Sequence, residues 1–176
     1  MKLLTVVASL AALTLTTSVF AESNNCEQII KNFPGTYTMV KRTLSDGTVL
    51  KGSQVQGTLL YGKDGYSSVT ITVRDAKNGT YDMAALQTDY SISSTTFTNK
   101  LKAMALQFGK PTSPVKYTFD GSKLSSPVVC DNGTLDLKNP ADYPLSDLRI
   151  TAAGILTAIH SDPELKGAID EWKRIG

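Results

Sequence analysis

Few residues of this chain have the types and spacing that chemistry requires. His160 is the only histidine, and we interpret it as a solvated or carbonyl-bonding residue between two elements, because no serine motif or carboxylate can be placed beside it. Asp82 and Asp89 lie in or beside a strand and are candidates for buried acids, although nothing selects them. The remaining notable carboxylates belong to turns, where such side chains bond local backbone groups: Asp46, Asp64, Asp120 and Asp131. The sequence predicts no metal ligand cluster, phosphate loop or cofactor, and leaves catalysis open.

The two cysteines, Cys26 and Cys130, predict a disulfide. Both lie in the part of the chain that we expect to be exported, and an oxidising compartment favours pairing. A redox or nucleophilic thiol is the alternative, but it lacks a Cys-x-x-Cys spacing and a nearby histidine. The predicted role is structural.

Residues 1–21 have the pattern of a secretory signal peptide. Lys2 supplies the positive start, an apolar stretch follows, and Val19-Phe20-Ala21 resembles a cleavage site. The apolar stretch is too short and too interrupted for a membrane span, which needs about 20 residues. We therefore expect one domain over 22–176, located in the periplasm or secreted. The net charge of +2 and the absence of a long basic cluster argue against a nucleic-acid partner.

Turn signals predict an antiparallel sheet. Five Asp-Gly or Asn-Gly pairs separate runs of strand-forming residues, and such pairs reverse the chain at positive φ. Around Gly65, a three-residue turn aligns Leu59 with Val69, Gly57 with Ile71 and Val55 with Val73, which separates an apolar face from a Thr/Ser face. The same reasoning predicts three further alignments: Met83 with Val73, Tyr117 with Leu124, and Val129 with Leu135.

Helices are predicted at three places. A capping pattern starting at Asn24 indicates a short helix over 25–32. Apolar residues at helical spacing predict added helices near 96–108 and 145–174, the last of them presenting Leu165, Ala168, Ile169 and Trp172 on one face. Strands are expected at about 36–44, 48–51, 55–62, 66–75, 80–86, 115–119, 123–130 and 134–138.

The predicted fold is mainly β. Eight or so short antiparallel strands favour a closed barrel, because closure removes exposed sheet edges. The segment Phe33-Pro34-Gly35-Thr36-Tyr37, followed by Gly57-Thr58-Leu59-Leu60-Tyr61 and Asp64-Gly65-Tyr66, resembles the bacterial lipocalin-like domains. The resemblance covers residues 33–74, with Tyr37 in place of the usual tryptophan.

The resemblance implies an antiparallel lipocalin-like β-barrel that binds a small apolar or amphipathic molecule. Its ligand-binding residues would come from the apolar face and the later hairpin: Leu59, Tyr61, Val69, Ile71, Val73, Met83, Tyr117 and Phe119. Tyr61 is the candidate for a polar tip at the cavity mouth. Two alternatives stay open at this point, namely a filled barrel that serves as an interaction or structural protein, and an isomerase- or cyclase-like barrel enzyme.

Overall fold

A computed structural model describes residues 25–75, 79–119, 121–138, 147–161 and 165–176. These residues form a helix α1 over 25–32 and twelve strands in one sheet. The strands are β1 (Gly35–Thr43), β2 (Val49–Lys51), β3 (Val55–Tyr61), β4 (Tyr66–Asp75), β5 (Thr80–Ile92), β6 (Thr96–Gln107), β7 (Lys116–Thr118), β8 (Lys123–Asp131), β9 (Thr134–Leu137), β10 (Asp147–Thr151), β11 (Ile155–Ile159) and β12 (Ile169–Arg174). No described helix is long and apolar enough to cross a membrane.

Ten of these strands close into an antiparallel barrel. Their order is β1-β3-β4-β5-β6-β8-β9-β10-β11-β12, and β12 pairs back onto β1. The two short strands, β2 and β7, pair with parts of long strands that the barrel neighbours do not reach. β2 pairs with the part of β1 beyond β3, and β7 pairs with the part of β6 beyond β8. Closure satisfies the backbone groups that an open sheet would leave at its edges.

The two ends of the barrel differ. We call the end where β1 begins the helix end, because Ile29 and Phe33 of the N-terminal segment are buried there. An aromatic cluster of Phe33, Tyr37, Tyr61, Tyr90 and Phe97 fills that end, with ring centroids of successive neighbours 4.3–6.4 Å apart. The opposite end, where β1 finishes and β12 begins, is the charged end, named for the ionised side chains described below.

The predicted hairpin around Gly65 is confirmed. Leu59 pairs with Val69, Gly57 with Ile71 and Val55 with Val73, and Gly65 has a φ of 82°. Asp64 accepts a hydrogen bond from the Tyr66 backbone amide at 3.1 Å, which is the local turn role expected of this carboxylate. The helix at 25–32 is also confirmed.

Three predicted alignments are wrong. Val73 pairs with Asp82 rather than Met83, so the inward positions of β5 are one residue away from those expected. Cys130, not Val129, pairs with Leu135, because Asn132 and Gly133 alone form the turn, with φ of 49° and 71°. Tyr117 and Leu124 do not pair at all, because β7 and β8 run in the same direction along β6.

The added helices near 96–108 and 145–174 are wrong as well, because the described residues there form strands. In β6, Phe97 and Leu101 face inward, and a bulge at Lys102 shifts the inward positions to Met104 and Leu106. The bulge turns a spacing of two into a spacing of three, which mimics a helix. In the C-terminal segment, Gly154 has a φ of 75° and ends a hairpin loop between β10 and β11.

The Cys26–Cys130 disulfide is confirmed, with Cα atoms 6.1 Å apart. It ties α1 to the C-terminal end of β8, at the helix end of the barrel, across a sequence separation of 104 residues. A bond of this kind fits an oxidising compartment outside the cytoplasm. Residues 1–21, the predicted signal peptide, lie outside the described residues.

Replacing Gly65 by valine should destabilise the protein by more than about 1 kcal/mol, because a β-branched residue is strained at positive φ. The added Cβ would also lie 3.0 Å from the Tyr90 carbonyl oxygen. Urea unfolding measures the change. Gly65→Asn is the matched control, since asparagine tolerates this conformation, and equal losses for the two variants would contradict the conformational explanation.

Oxidised mature protein should not react with a thiol reagent, even when unfolded, until a reductant is added. Cys26→Ser together with Cys130→Ser should lower the free energy of unfolding by about 2–4 kcal/mol, because the unfolded chain loses a long closed loop. Thiol titration and chemical unfolding measure these two effects. Two reactive thiols in the oxidised, unfolded protein would refute the bond.

Candidate functional site

A cavity of about 240 Å³ lies inside the barrel. Its walls are mainly apolar and come from most strands of the barrel; representative lining residues are Leu59, Ile71, Leu86, Leu106, Leu156 and Trp172. Two inward positions hold only alanine, Ala84 on β5 and Ala158 on β11. Small side chains at inward positions leave space that larger ones would fill.

One wall is shaped by a glycine. A Cβ added at Gly57 would lie 2.8 Å from Cη2 of Trp172 and 3.0 Å from the Met39 Cβ. The Trp172 ring therefore packs against the backbone of β3 at Gly57, which only a residue without a side chain permits. Trp172 is almost fully buried, and its ring separates this wall from the cavity.

At the charged end, four side chains form what we call the charged cluster: Arg42, Asp82, His160 and Asp170. Nε and Nη2 of Arg42 donate to the two carboxylate oxygens of Asp170 at 2.6 and 2.7 Å. Nη1 of Arg42 lies 3.2 Å from Oδ2 of Asp82, and Nε2 of His160 lies 2.8 Å from Oδ2 of Asp170. All four side chains line the cavity.

A β-bulge places Arg42 inside the barrel. Tyr37 and Met39 face inward, so strict alternation would turn Lys41 inward and Arg42 outward. The pairing of β1 with β12 shifts between Met39 and Lys41, so that Val40 is the extra residue and Arg42 comes directly opposite Asp170. Lys41 then faces outward, where its Nζ lies 3.2 Å from the Glu171 carboxylate.

The cluster joins distant parts of the chain. Arg42 and Asp170 are cross-strand partners on β1 and β12, whereas Asp82 is on β5, beyond β3 and β4. Arg42 therefore reaches across the barrel interior. His160 directly follows β11, and its backbone amide donates to the Ala168 carbonyl at 2.9 Å, which fixes it beside Asp170.

The electrostatics of the cluster keep Asp170 ionised. Burial opposes its ionisation, but hydrogen bonds from Arg42 and His160 outweigh burial and hold the pKa of Asp170 below its usual value. Because an ionised carboxylate only accepts hydrogen bonds, Nε2 of His160 carries a proton. A histidine oriented by a buried carboxylate is also an arrangement that acid–base catalysis uses.

At the helix end the phenols are neutral. Burial raises the pKa of Tyr61 far above its usual value. Burial is also the main cause that raises the pKa of Tyr90 to about 12, and the neighbouring Tyr37 and Asp64 raise it further. The Tyr37 and Tyr90 hydroxyls donate to the backbone carbonyls of Phe33 and Gly62, each at 2.7 Å. These phenols act as structural donors.

The structure distributes the predicted ligand-binding residues over different environments. Five of them line the cavity: Leu59, Tyr61, Val69, Ile71 and Met83. Val73 is buried in the core, while Tyr117 and Phe119 are 68% and 78% exposed and do not line this cavity. In β7, Lys116 lines the cavity and the next residue, Tyr117, faces the opposite way. Tyr61 lies in the aromatic cluster at the helix end and is buried.

Polar groups in the middle of the cavity wall are engaged or covered. The Ser67 and Thr88 hydroxyls hydrogen-bond each other at 2.5 Å. Oδ1 of Asn99 and Nε1 of Trp172 have no hydrogen-bond partner among the described residues, but protein atoms cover both of them. Among the described lining residues, ionised groups therefore meet the cavity at the charged cluster and at the exposed Lys116.

The charged cluster was missed by sequence reasoning. His160 is not a solvated residue at a helix boundary, and Asp82 is a partner of Arg42 rather than one of several equivalent acids. Asp170 sits at an inward position between Ala168 and Trp172, all three of them buried. The buried positions 168, 170 and 172 alternate with a period of two, which is typical of a strand. The charge at position 170 concealed this pattern in the sequence.

No protein-family model matches this chain, and no match was found among curated proteins or among solved structures. What is established is therefore a closed ten-stranded antiparallel barrel with a disulfide. Within the described residues, no group of three or more His, Cys, Asp or Glu side chains is arranged to hold a metal ion.

Asp170→Asn should lower the free energy of unfolding at pH 7 by about 3–5 kcal/mol, because it leaves the buried Arg42 with one carboxylate fewer. Since the pKa of Asp170 is lowered by folding, its contribution is fully present above about pH 4 and is lost as the pH falls through the folded-state pKa. The difference between variant and wild type should therefore shrink in acid. Urea unfolding at pH 7 and at several values below about pH 4 measures it.

The control for this variant is Asp136→Asn, which breaks a surface pair with Arg149 between β9 and β10. Exposed pairs contribute about 0–1 kcal/mol, so this variant should remain close to wild type at every pH. An Asp170→Asn protein as stable as wild type at pH 7 would contradict the role assigned to the buried pair.

Proposed function

We propose that this protein is an exported, lipocalin-like binding protein that takes a small apolar or amphipathic molecule into the barrel cavity. The observation that carries the proposal is the cavity itself, whose walls inside the barrel are mainly inward-facing apolar side chains. Its volume is close to the lower end of the range for ligand pockets, about 300–1,000 Å³. The ligand class is therefore a small molecule or a single short acyl chain.

The architecture supports entry from the charged end. The helix end is occupied by the aromatic cluster and α1. At the charged end the described wall includes Phe108, Leu165 and the exposed Lys116. A ligand that enters there meets the charged cluster first and the apolar wall next.

The energy available is sufficient for useful affinity. Removing apolar ligand surface from water contributes about 25 cal/mol per Å², and a preformed cavity avoids the cost of opening one. A modest lipid-like ligand would then reach about micromolar affinity. Export through the predicted signal peptide, to the periplasm or the medium, would place such a carrier where the disulfide can form.

Ile71→Trp should abolish binding of the neutral apolar dye N-phenyl-1-naphthylamine while the protein remains folded, because the added ring occupies the cavity. Ile71 lines the cavity opposite Ala84, the small residue that leaves room for it. Dye fluorescence measures binding, and urea unfolding measures stability. Val69→Trp, on the same face of β4, should behave in the same way.

Thr70→Trp is the matched control, since Thr70 lies between the two on β4 and is exposed. It should bind the dye as wild type does. If Ile71→Trp and Val69→Trp instead unfold the protein through overpacking, the interior is a filled core. The interaction or structural role would then replace the binding function.

A further inference from the structure

We propose that the ligand carries a headgroup that donates hydrogen bonds, a hydroxyl or an ammonium, and that this headgroup lies beside Asp82 at the charged end. Its apolar part extends toward the aromatic cluster. This inference rests on the proposed function, because it specifies the ligand of the same cavity. It distinguishes the ligand from an ionised fatty acid, whose headgroup only accepts hydrogen bonds.

The polarity of the cavity is arranged along its length. The charged cluster forms the wall at one end, and Tyr61 and Phe97 of the aromatic cluster contribute to the wall at the other. Between them the wall is mostly aliphatic. An amphipathic molecule that enters this cavity therefore has one favourable orientation, with its polar group at the charged end.

Arg42 is not arranged to receive a ligand carboxylate. Its Nε and Nη2 groups hold both oxygens of Asp170, and its Nη1 group contacts Asp82. The Arg42 side chain is also nearly fully buried, with 1% of it exposed. With so little of it exposed, a carboxylate could reach the guanidinium only if Asp82 or Asp170 moved away, which would leave a buried charge unpaired.

The charges that line the cavity give no excess of positive charge. With His160 counted as neutral, Arg42, Asp82 and Asp170 together have a formal charge of −1, and protonation of His160 would bring the sum to zero. The fourth ionised lining residue, Lys116, is exposed, so solvent and salt screen its charge more strongly than theirs. Among the described lining residues, the sum of the buried charges is therefore negative or zero, so the cavity offers an anionic headgroup no surplus of positive charge.

Asp82 is the carboxylate that a headgroup can reach. Its side chain is 19% exposed, whereas that of Asp170 is 0% exposed. Its contact with Arg42 is a single one at 3.2 Å, longer than the contacts of Asp170. Asp82 shares the cavity wall with Ala84, the small residue two positions along β5, which leaves space beside the carboxylate for a headgroup.

The test is displacement of bound N-phenyl-1-naphthylamine at pH 7 by decanol, decylamine and decanoate, which share one chain length. Decylamine should displace the dye at a concentration at least about ten-fold lower than decanoate needs, and decanol should also be more effective than decanoate. The comparison of decylamine with decanoate is decisive, because both are ionised and a purely apolar cavity would reject both.

The variant Asp82→Asn removes the carboxylate charge and should reduce the preference for decylamine over decanoate to within about three-fold. Asp89→Asn is the matched control, since Asp89 lies on the same strand but outside the cavity, where it pairs with Lys102. It should keep the wild-type preference. Urea unfolding verifies that both variants are folded.

Two results would overturn the inference while leaving the proposed function intact: dye binding with decanoate as effective as decylamine, or a preference for decylamine that Asp82→Asn does not change. If Asp82→Asn does not fold, the wild-type ratio alone decides. A wild-type protein that binds neither the dye nor any of the three competitors would overturn the inference and the proposed function together.

Discussion

The ion pair between Arg42 and Asp170 is the constraint on which the rest of the barrel depends. Both side chains are almost completely buried, and each is too costly to bury unless the other compensates its charge. They face each other on β1 and β12, the two strands whose pairing closes the sheet. Any change in the register of that pairing would separate the two charges inside the barrel, so the pair favours one closed register over its neighbours.

The bulge at Val40 determines which charges are buried. Because of this one extra residue, the side-chain pattern of β1 changes face between Met39 and Arg42. The inner surface thus changes from apolar residues near the helix end to a cation at the charged end. The hydrogen-bonded pairing of β1 with β12 is interrupted only at this one residue. The same residue turns Lys41 toward Glu171 on the outer surface. A single insertion therefore sets the polarity of both surfaces of the seam between β1 and β12.

Sequence patterns predicted the parts of the fold that obey strict alternation. The hairpin around Gly65 was predicted to the residue, because its two strands separate apolar from polar side chains in most of the aligned pairs, with Leu60 as the apolar exception on the polar face. In β6 and β12, where polar or charged residues occupy inward positions, the prediction was wrong. Asn99 and the Lys102 bulge concealed β6, and Asp170 concealed β12, so both strands were predicted as helices. The charged cluster was hidden for the same reason, since its members violate the pattern that reveals a core.

The two ends of the molecule are stabilised in different ways. The helix end has the disulfide, the aromatic cluster and phenols bonded to backbone carbonyls, all of which restrict that end without offering a site. The charged end has fewer aromatic contacts and holds ionised groups next to unfilled volume. Apolar space without packing partners lowers stability, so a barrel that retains such space needs compensation elsewhere. The cross-linked helix end and the buried Arg42–Asp170 pair supply that compensation on either side of the cavity, so the barrel stays closed around a volume that its own side chains do not fill.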